Sequence, residues 1–185
     1  WELLSSVHTS STVDRLLSLG MKRSSPPFAA NMALSTEPPA ANPDIVVAPV
    51  ETIEEFQAHV RITHEVFGML DRLPDELKRI ASDGARRLAD RSFVRYVARV
   101  DGVPAGAATA TFTAAGVTLH TGSTLPGFRG RGVYSAMVRH RWFEAVSRAT
   151  PQLITRAGPM SRPILRKLGF QELAGPRVAL IDDPA

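Results

Sequence analysis

The 185-residue sequence contains no cysteine, which removes disulfides and thiolate metal sites from consideration and suits a reducing cytoplasm. It is also nearly without lysine. Only Lys22, Lys78 and Lys167 occur, so the net charge of +4 and the pI of about 10.1 rest on arginine. No apolar run approaches the roughly 18 residues that a membrane-spanning helix needs. The first twenty residues include Glu2 and Asp14 and lack the basic start and apolar centre of a secretory signal. A further absence is local: from Gly102 through Phe143 there is no aspartate or glutamate, so chemistry in that stretch must do without a carboxylate. A soluble cytoplasmic protein is expected, with no metal and no membrane partner. The chain begins at Trp1 rather than methionine, as expected of a fragment or a processed product.

What is present is enough for one ordinary domain with some extra chain, at 44% hydrophobic and 22% charged residues. Residues 22–44 are dense in proline, serine and alanine, which is linker chemistry, although the apolar island Phe28 to Leu34 has strand character. The expected organisation is an extension at 1–34, a linker at 35–44 and the main domain at 45–185. In that domain "IVVAPV" reads as a strand. Thr52 and Glu55 form a capping box for a helix to about Phe67, and Pro74 leads in a second helix in which Gly84 is the weak point.

The period then changes. "SFVRYVARV" alternates, Asp101-Gly102 is a strong hairpin signal, and "VPAGAATATFT" and "VTLHTGSTL" follow as two more antiparallel strands around a turn at Ala114 to Gly116. A helix from about Gly132 to Thr150, a strand "QLITRA", a short helix "SRPILRKLG" and a last strand complete the order.

The most informative stretch is "LPGFRGRGVYSAMVRHRW", where three glycines and two arginines fall within Gly127 to Gly132, immediately ahead of a helix. The first turn of a helix offers up to four amides with no intrahelical partner and about half a positive charge, so it attracts anions. Glycines let a phosphate approach the backbone, and Arg129 and Arg131 add charge. This loop resembles the acyl-CoA signature of the GNAT N-acetyltransferase superfamily, with Arg129 and Gly132 on motif positions. Tyr134 stands where that family usually has glycine or alanine, and it also heads an apolar stripe with Val138, Trp142, Ala145 and Ala149. "ILRKLGF", Ile164 to Phe170, is similar to the family's late helix ending in Leu-Gly-Phe.

The resemblance implies an α/β (α+β) fold with a mixed, mostly antiparallel central sheet flanked by helices. The CoA-binding loop would lie between the fourth strand of the domain and the helix after it. It implies acetyl transfer from acetyl-CoA to an amine of a small molecule or a protein. Ser123, Thr124 and Leu125 would meet the pantetheine arm. Arg129, Gly130, Arg131, Gly132, Val133, Tyr134 and Ser135 would hold the pyrophosphate. Many relatives use a strand carboxylate as base and a late tyrosine as acid. Here the carboxylate is missing, and Leu165 stands where the tyrosine is expected. His120 is the substitute base, since imidazole accepts a proton at neutral pH, with Glu65 and Asp71 near the helix junction as further candidates.

Two other functions remain open from sequence. One is a CoA-binding but catalytically silent half of a tandem protein, and the other is a basic nucleic-acid-binding module. The second is disfavoured because the arginines are not interleaved with exposed aromatics. The tandem reading has its own support. "VDRLLSLGM" and "PILRKLGF" end alike at Gly20 and Gly169, and residues 11–32 align with 160–181 through Leu16/Leu165, Leu19/Leu168, Gly20/Gly169, Pro27/Pro176 and Ala30/Ala179. On that reading residues 1–34 are the tail of a preceding GNAT-like domain, the alternative being an unrelated amphipathic extension; a homodimer is the other assembly considered. So short a helix is ordered only if Leu16, Leu17 and Leu19 bury against something.

Overall fold

The computed structural model describes residues 2–4, 10–23, 29–173 and 177–181; Pro27, Phe28 and Pro176 lie outside them. Ten strands and five α-helices follow in the order β1 (Glu2–Leu4), α1 (Ser10–Ser18), β2 (Lys22–Arg23), β3 (Ala30–Leu34), β4 (Ile45–Pro49), α2 (Ile53–Val66), α3 (Leu73–Ala89), β5 (Phe93–Val100), β6 (Val103–Thr113), β7 (Gly116–Thr124), α4 (Val133–Ser147), β8 (Leu153–Ala157), α5 (Arg162–Lys167), β9 (Gln171–Glu172) and β10 (Arg177–Ile181). A 3-10 turn at Leu70–Arg72 joins α2 to α3, and another spans Pro126–Phe128.

Seven strands make one sheet, β4-β5-β6-β7-β8-β3-β9. All neighbours are antiparallel except β7 and β8, which run parallel. The sheet therefore draws one strand from the 1–34 extension: β3 lies between β8 and β9, with Ala30 opposite Ala157 and Met32 opposite Glu172. The three remaining strands form a second sheet, β1-β10-β2, also antiparallel.

Helix boundaries follow local chemistry. Thr52 caps α2 by accepting from the Glu55 amide at 3.2 Å, while the Glu55 carboxylate accepts from the Glu51 amide rather than that of Thr52, one residue off the expected capping box. The Glu51 contact, with Arg99 nearby, holds the Glu55 carboxyl below its ordinary range. At the β5–β6 hairpin Asp101 and Gly102 both have positive φ, the backbone that this tight turn requires.

The two faces of the sheet bury different sets. Phe56, Val60 and Ile80 of α2 and α3 cover Val97 and Ala107, whereas Met137, Val138, Trp142 and Ala145 of α4 cover the opposite side. Each of these side chains larger than alanine contributes about 1.5–3 kcal/mol on burial. Gly84 lies within an unbroken α3. A Cβ there would stand 2.7 Å from Ile53 Cδ1, so the glycine sets how closely α3 approaches α2. Of the apolar stripe on α4, Ala149 falls beyond the helix end and is exposed. On α1, Val13 is buried and Leu16 and Leu17 are half-buried, but Leu19 is 73% exposed.

Candidate active site

β7 and β8 pair only at Val117, Thr118 and Leu119, opposite Leu153, Ile154 and Thr155. Beyond Leu119, β7 runs on to Thr124, while β8 continues to Ala157 paired only with β3. A wedge opens between the two strands, and one edge of β7 has no partner strand there. Of the residues expected along this edge, Leu125 donates its amide to Ala105 O at 2.9 Å, on the β6 side. Alternation along an antiparallel ladder then turns the backbone of Thr124 to the open side. The Thr124 hydroxyl is buried and has no hydrogen-bond partner. Ser123 is also buried, and its hydroxyl donates to Ala107 O at 3.1 Å.

A β-bulge in the β6–β7 ladder lies beside the wedge. Ala107 faces Ser123 and Thr109 faces His120, so Ala108 alone opposes both Thr121 and Gly122. Thr121 has φ +39, in the left-handed region. Side chains from both faces serve the carbonyls that the interrupted ladder leaves free. His59 Nε2, from α2, lies 3.3 Å from Ala108 O, and Arg141 Nη1, from α4, donates to Thr109 O at 3.0 Å. Arg141 also donates from Nε to Met137 O at 2.9 Å and is 1% exposed.

Burial sets the electrostatics of both groups. It brings the Arg141 guanidinium down to about 10, which still leaves it charged at neutral pH. It brings His59 down to about 4, with Arg95 pressing the same way, so the ring is neutral. A neutral ring that donates through Nε2 leaves Nδ1 bare, and Nδ1 is buried without a partner. Neither residue was apparent from the sequence. Their signal was helical spacing: His59 lies one turn from Phe56 and Thr63, and Arg141 lies two turns from Tyr134.

At the far end of β7, a 3-10 turn leads into α4 through Gly130 (φ +77) and Gly132 (φ +90), both in backbone that favours glycine. Gly132 is the N-cap of α4, and no side chain caps the helix. The first-turn amides of Val133, Tyr134 and Ser135 therefore have no partner from a capping side chain. Arg129 is exposed; Arg131 pairs with Asp101 at 3.4 Å and lies over the Phe128 ring.

Tyr134, the departure from the motif, lies against Gly122 on β7. A Cβ at Gly122 would be 2.5 Å from Tyr134 Cε2, so the large residue on the helix is matched by a bare one on the strand. Burial raises the Tyr134 hydroxyl above its usual range, and Arg141 opposes that rise.

His120 is exposed and immediately precedes the bulge on β7. Its Nε2 is 3.0 Å from Thr111 Oγ1, its ring stacks on Phe93, and partial burial with the charge of Arg141 lowers its pKa. Glu65 and Asp71 are exposed at the end of α2 and in the 3-10 turn, and neither has a described contact with His120. His64, beside Glu65, is half-buried and bonded through Nδ1 to Val60 O. Leu165, where the late tyrosine was sought, is buried in the core.

No protein-family model matches the chain, and no curated protein does. Solved structures do. A GCN5-related N-acetyltransferase from Kribbella flavida matches with a TM-score of 0.72 over 100% of this chain and 68% of its own, at 18% identity. A predicted acetyltransferase from Clostridium acetobutylicum, solved with acetyl-CoA, matches with 0.53 over 70% of this chain and 91% of its own, at 20% identity. A tandem GNAT protein from the clavulanic acid biosynthesis pathway matches with 0.63 over 94% of this chain and 58% of its own, at 15% identity. These likenesses show that the chain has the fold of the GCN5-related N-acetyltransferases. The expected α/β architecture, with its loop between the fourth strand of the domain (β7) and the next helix, is the one observed. Among the described residues no helix is long and apolar enough to cross a membrane.

Proposed function

We propose that this chain transfers an acetyl group from acetyl-CoA to an amine of a small molecule or a protein. The observation that carries the reading is the joining, through one turn, of an open edge of β7 to an uncapped α4 with left-handed glycines at its mouth. In this reading the amides of Arg131 to Ser135 bind the pyrophosphate. Arg129 adds charge, and the free side of Thr124 pairs with the pantetheine amides. The solved neighbour with acetyl-CoA supports the choice of cosubstrate.

The amine nitrogen attacks the thioester carbonyl, the N–C bond forms, and the C–S bond breaks to release the thiolate of CoA. A lysine-like amine with pKa near 10.4 is only about 0.04% neutral at pH 7, so a base contributes, typically about 10²- to 10⁴-fold. His120 is the base we assign. Its lowered pKa keeps the ring neutral at pH 7 and able to accept the proton, and Thr111 fixes its orientation.

The test is acetyl-CoA binding followed by transfer to a panel of amines. Ligand at 100 times its Kd stabilises by about 2.7 kcal/mol. Gly132→Asp is expected to abolish that shift, and Gly132→Ala, which carries the same backbone strain without the charge, to retain part of it. Unchanged affinity in a folded Gly132→Asp protein would remove the site. His120→Gln is expected to lose about 100-fold in kcat/KM with acetyl-CoA binding intact. Near-normal rates in that variant would move the base to Glu65, Asp71 or solvent. Tight CoA binding with no transfer to any amine would leave the catalytically silent reading.

A further inference from the structure

Two segments of the chain are built alike. The first is β1-α1-β2 followed by β3, and the second is β8-α5-β9 followed by β10. α1 and α5 end with the same set of hydrogen bonds. Leu19 N bonds Arg15 O and Leu16 O, Gly20 N bonds Leu17 O, and Met21 N bonds Leu16 O. Leu168 N bonds Ile164 O and Leu165 O, Gly169 N bonds Arg166 O, and Phe170 N bonds Leu165 O. Gly20 and Gly169 both have φ +95. The last strand of each segment does not join its own segment. β3 lies between β8 and β9, and β10 lies between β1 and β2, antiparallel to both neighbours in each case.

The two segments differ in what covers them. In the second, Leu165, Leu168 and Phe170 are 1%, 7% and 3% exposed, because the core formed with β7, β8 and α4 closes over them. In the first, Leu16 and Met21 are only half-buried and Leu19 is 73% exposed. β8 has a parallel partner in β7, whereas the outer edge of β1 has no partner strand among the described residues.

We propose that β1, α1 and β2 are the late segment of a second domain of this same fold, and that the two domains have exchanged their last strands reciprocally. The open edge of β1 and the apolar face of α1 then dock that domain's counterparts of β7 and α4. A further copy of this chain does not fit the role, since its β7 is already paired with its own β8. A domain that ends its sheet at a β7-like strand, and takes its late segment from residues 2–23, does fit. The inference rests on the fold and holds whether or not the main domain is active.

The absence of native cysteine makes the exchange directly measurable. Leu3→Cys with Val178→Cys, and Asn31→Cys with Arg156→Cys, place thiols on residues facing each other across β1–β10 and β3–β8. Oxidation is expected to close both pairs within one monomer. Failure of either pair, or a dimer on a non-reducing gel, overturns the exchange. In the chain alone, α1 amides are expected to exchange with solvent at least tenfold faster than those of α5. Equal protection in the monomer overturns the docking face, as does a dimer dispersed by Leu19→Glu, which would make a second copy the occupant. Appending residues 45–150 of this chain ahead of Trp1 supplies the counterparts of β7 and α4. Protection of α1 is expected to rise to the level of α5, and a folded extended protein with α1 still unprotected overturns the assignment. CoA affinity of the main domain is read alongside, and its loss alone counts against the transferase reading and leaves this one standing.

Discussion

The glycine-rich loop and the β7 bulge lie at opposite ends of the same short stretch, and they are built by opposite means. The loop uses consecutive residues, bare backbone and exposed charge, and its arginines contribute little to folding because water screens them. The bulge uses residues distant in sequence. His59 and Ala108 are 49 positions apart and Arg141 and Thr109 are 32 apart, and all the polar groups involved are removed from water. The exposed charges of the loop can therefore be altered without disturbing the core, whereas the groups that hold the bulge are part of it.

That contrast predicts that bulge changes act chiefly on stability, while removing the exposed charge of Arg129 acts on CoA affinity with little effect on stability. The largest effect is expected from Arg141→Met, which keeps the packing but removes two hydrogen bonds from a buried cation and leaves Thr109 O unpaired. A loss of about 4 kcal/mol in denaturant unfolding follows from about 1.5–3 kcal/mol per charged hydrogen bond. If the variant unfolds like the parent, the bulge is held by the strands alone.

His59 comes next. The unfolded chain takes up a proton near pH 6.5 and the folded one only near 4. Stability is thus full above pH 6.5, falls as the pH drops through that window and levels off below about 4, by about 3 kcal/mol in all. His120 and His140 shift the same way and add to the fall. In His59→Leu the Tm difference between pH 7 and pH 4.5 is expected to shrink clearly, even though the variant loses the bond to Ala108. An unchanged difference would place the acid sensitivity elsewhere.

Gly122→Ala is the smallest of the three, at about 2 kcal/mol for overpacking against Tyr134. Its cost is expected to fall close to zero in a Tyr134→Ala background, a coupling that a double-mutant cycle measures directly.

The same contrast explains what could be read from sequence. Element order, the Asp101-Gly102 hairpin and the loop with Gly130 and Gly132 were legible because each depends on neighbours in the chain. Tyr134 was visible as a departure from the motif, but its answer, Gly122, lies on another strand. His59 and Arg141 were hidden because nothing near them in sequence reports a carbonyl freed across the sheet. Leu165, at the position expected for the tyrosine, indicates no replacement for it. β3 had strand character in sequence, but its place between β8 and β9 depends on a pairing that no local pattern encodes.

That pairing sets the order of folding. Ala30 meets Ala157 more than a hundred residues later in the chain, so the far side of the sheet cannot close until nearly all of the polypeptide is available. Closing so long a loop costs entropy before any contact rewards it, which slows folding. Until then Ala30, Met32 and Leu34, all but fully buried at the end, stay uncovered on a strand with two unpaired edges. During synthesis the earliest-made strand of the main sheet is thus among the last to find its neighbours, and it is the segment most open to off-pathway association.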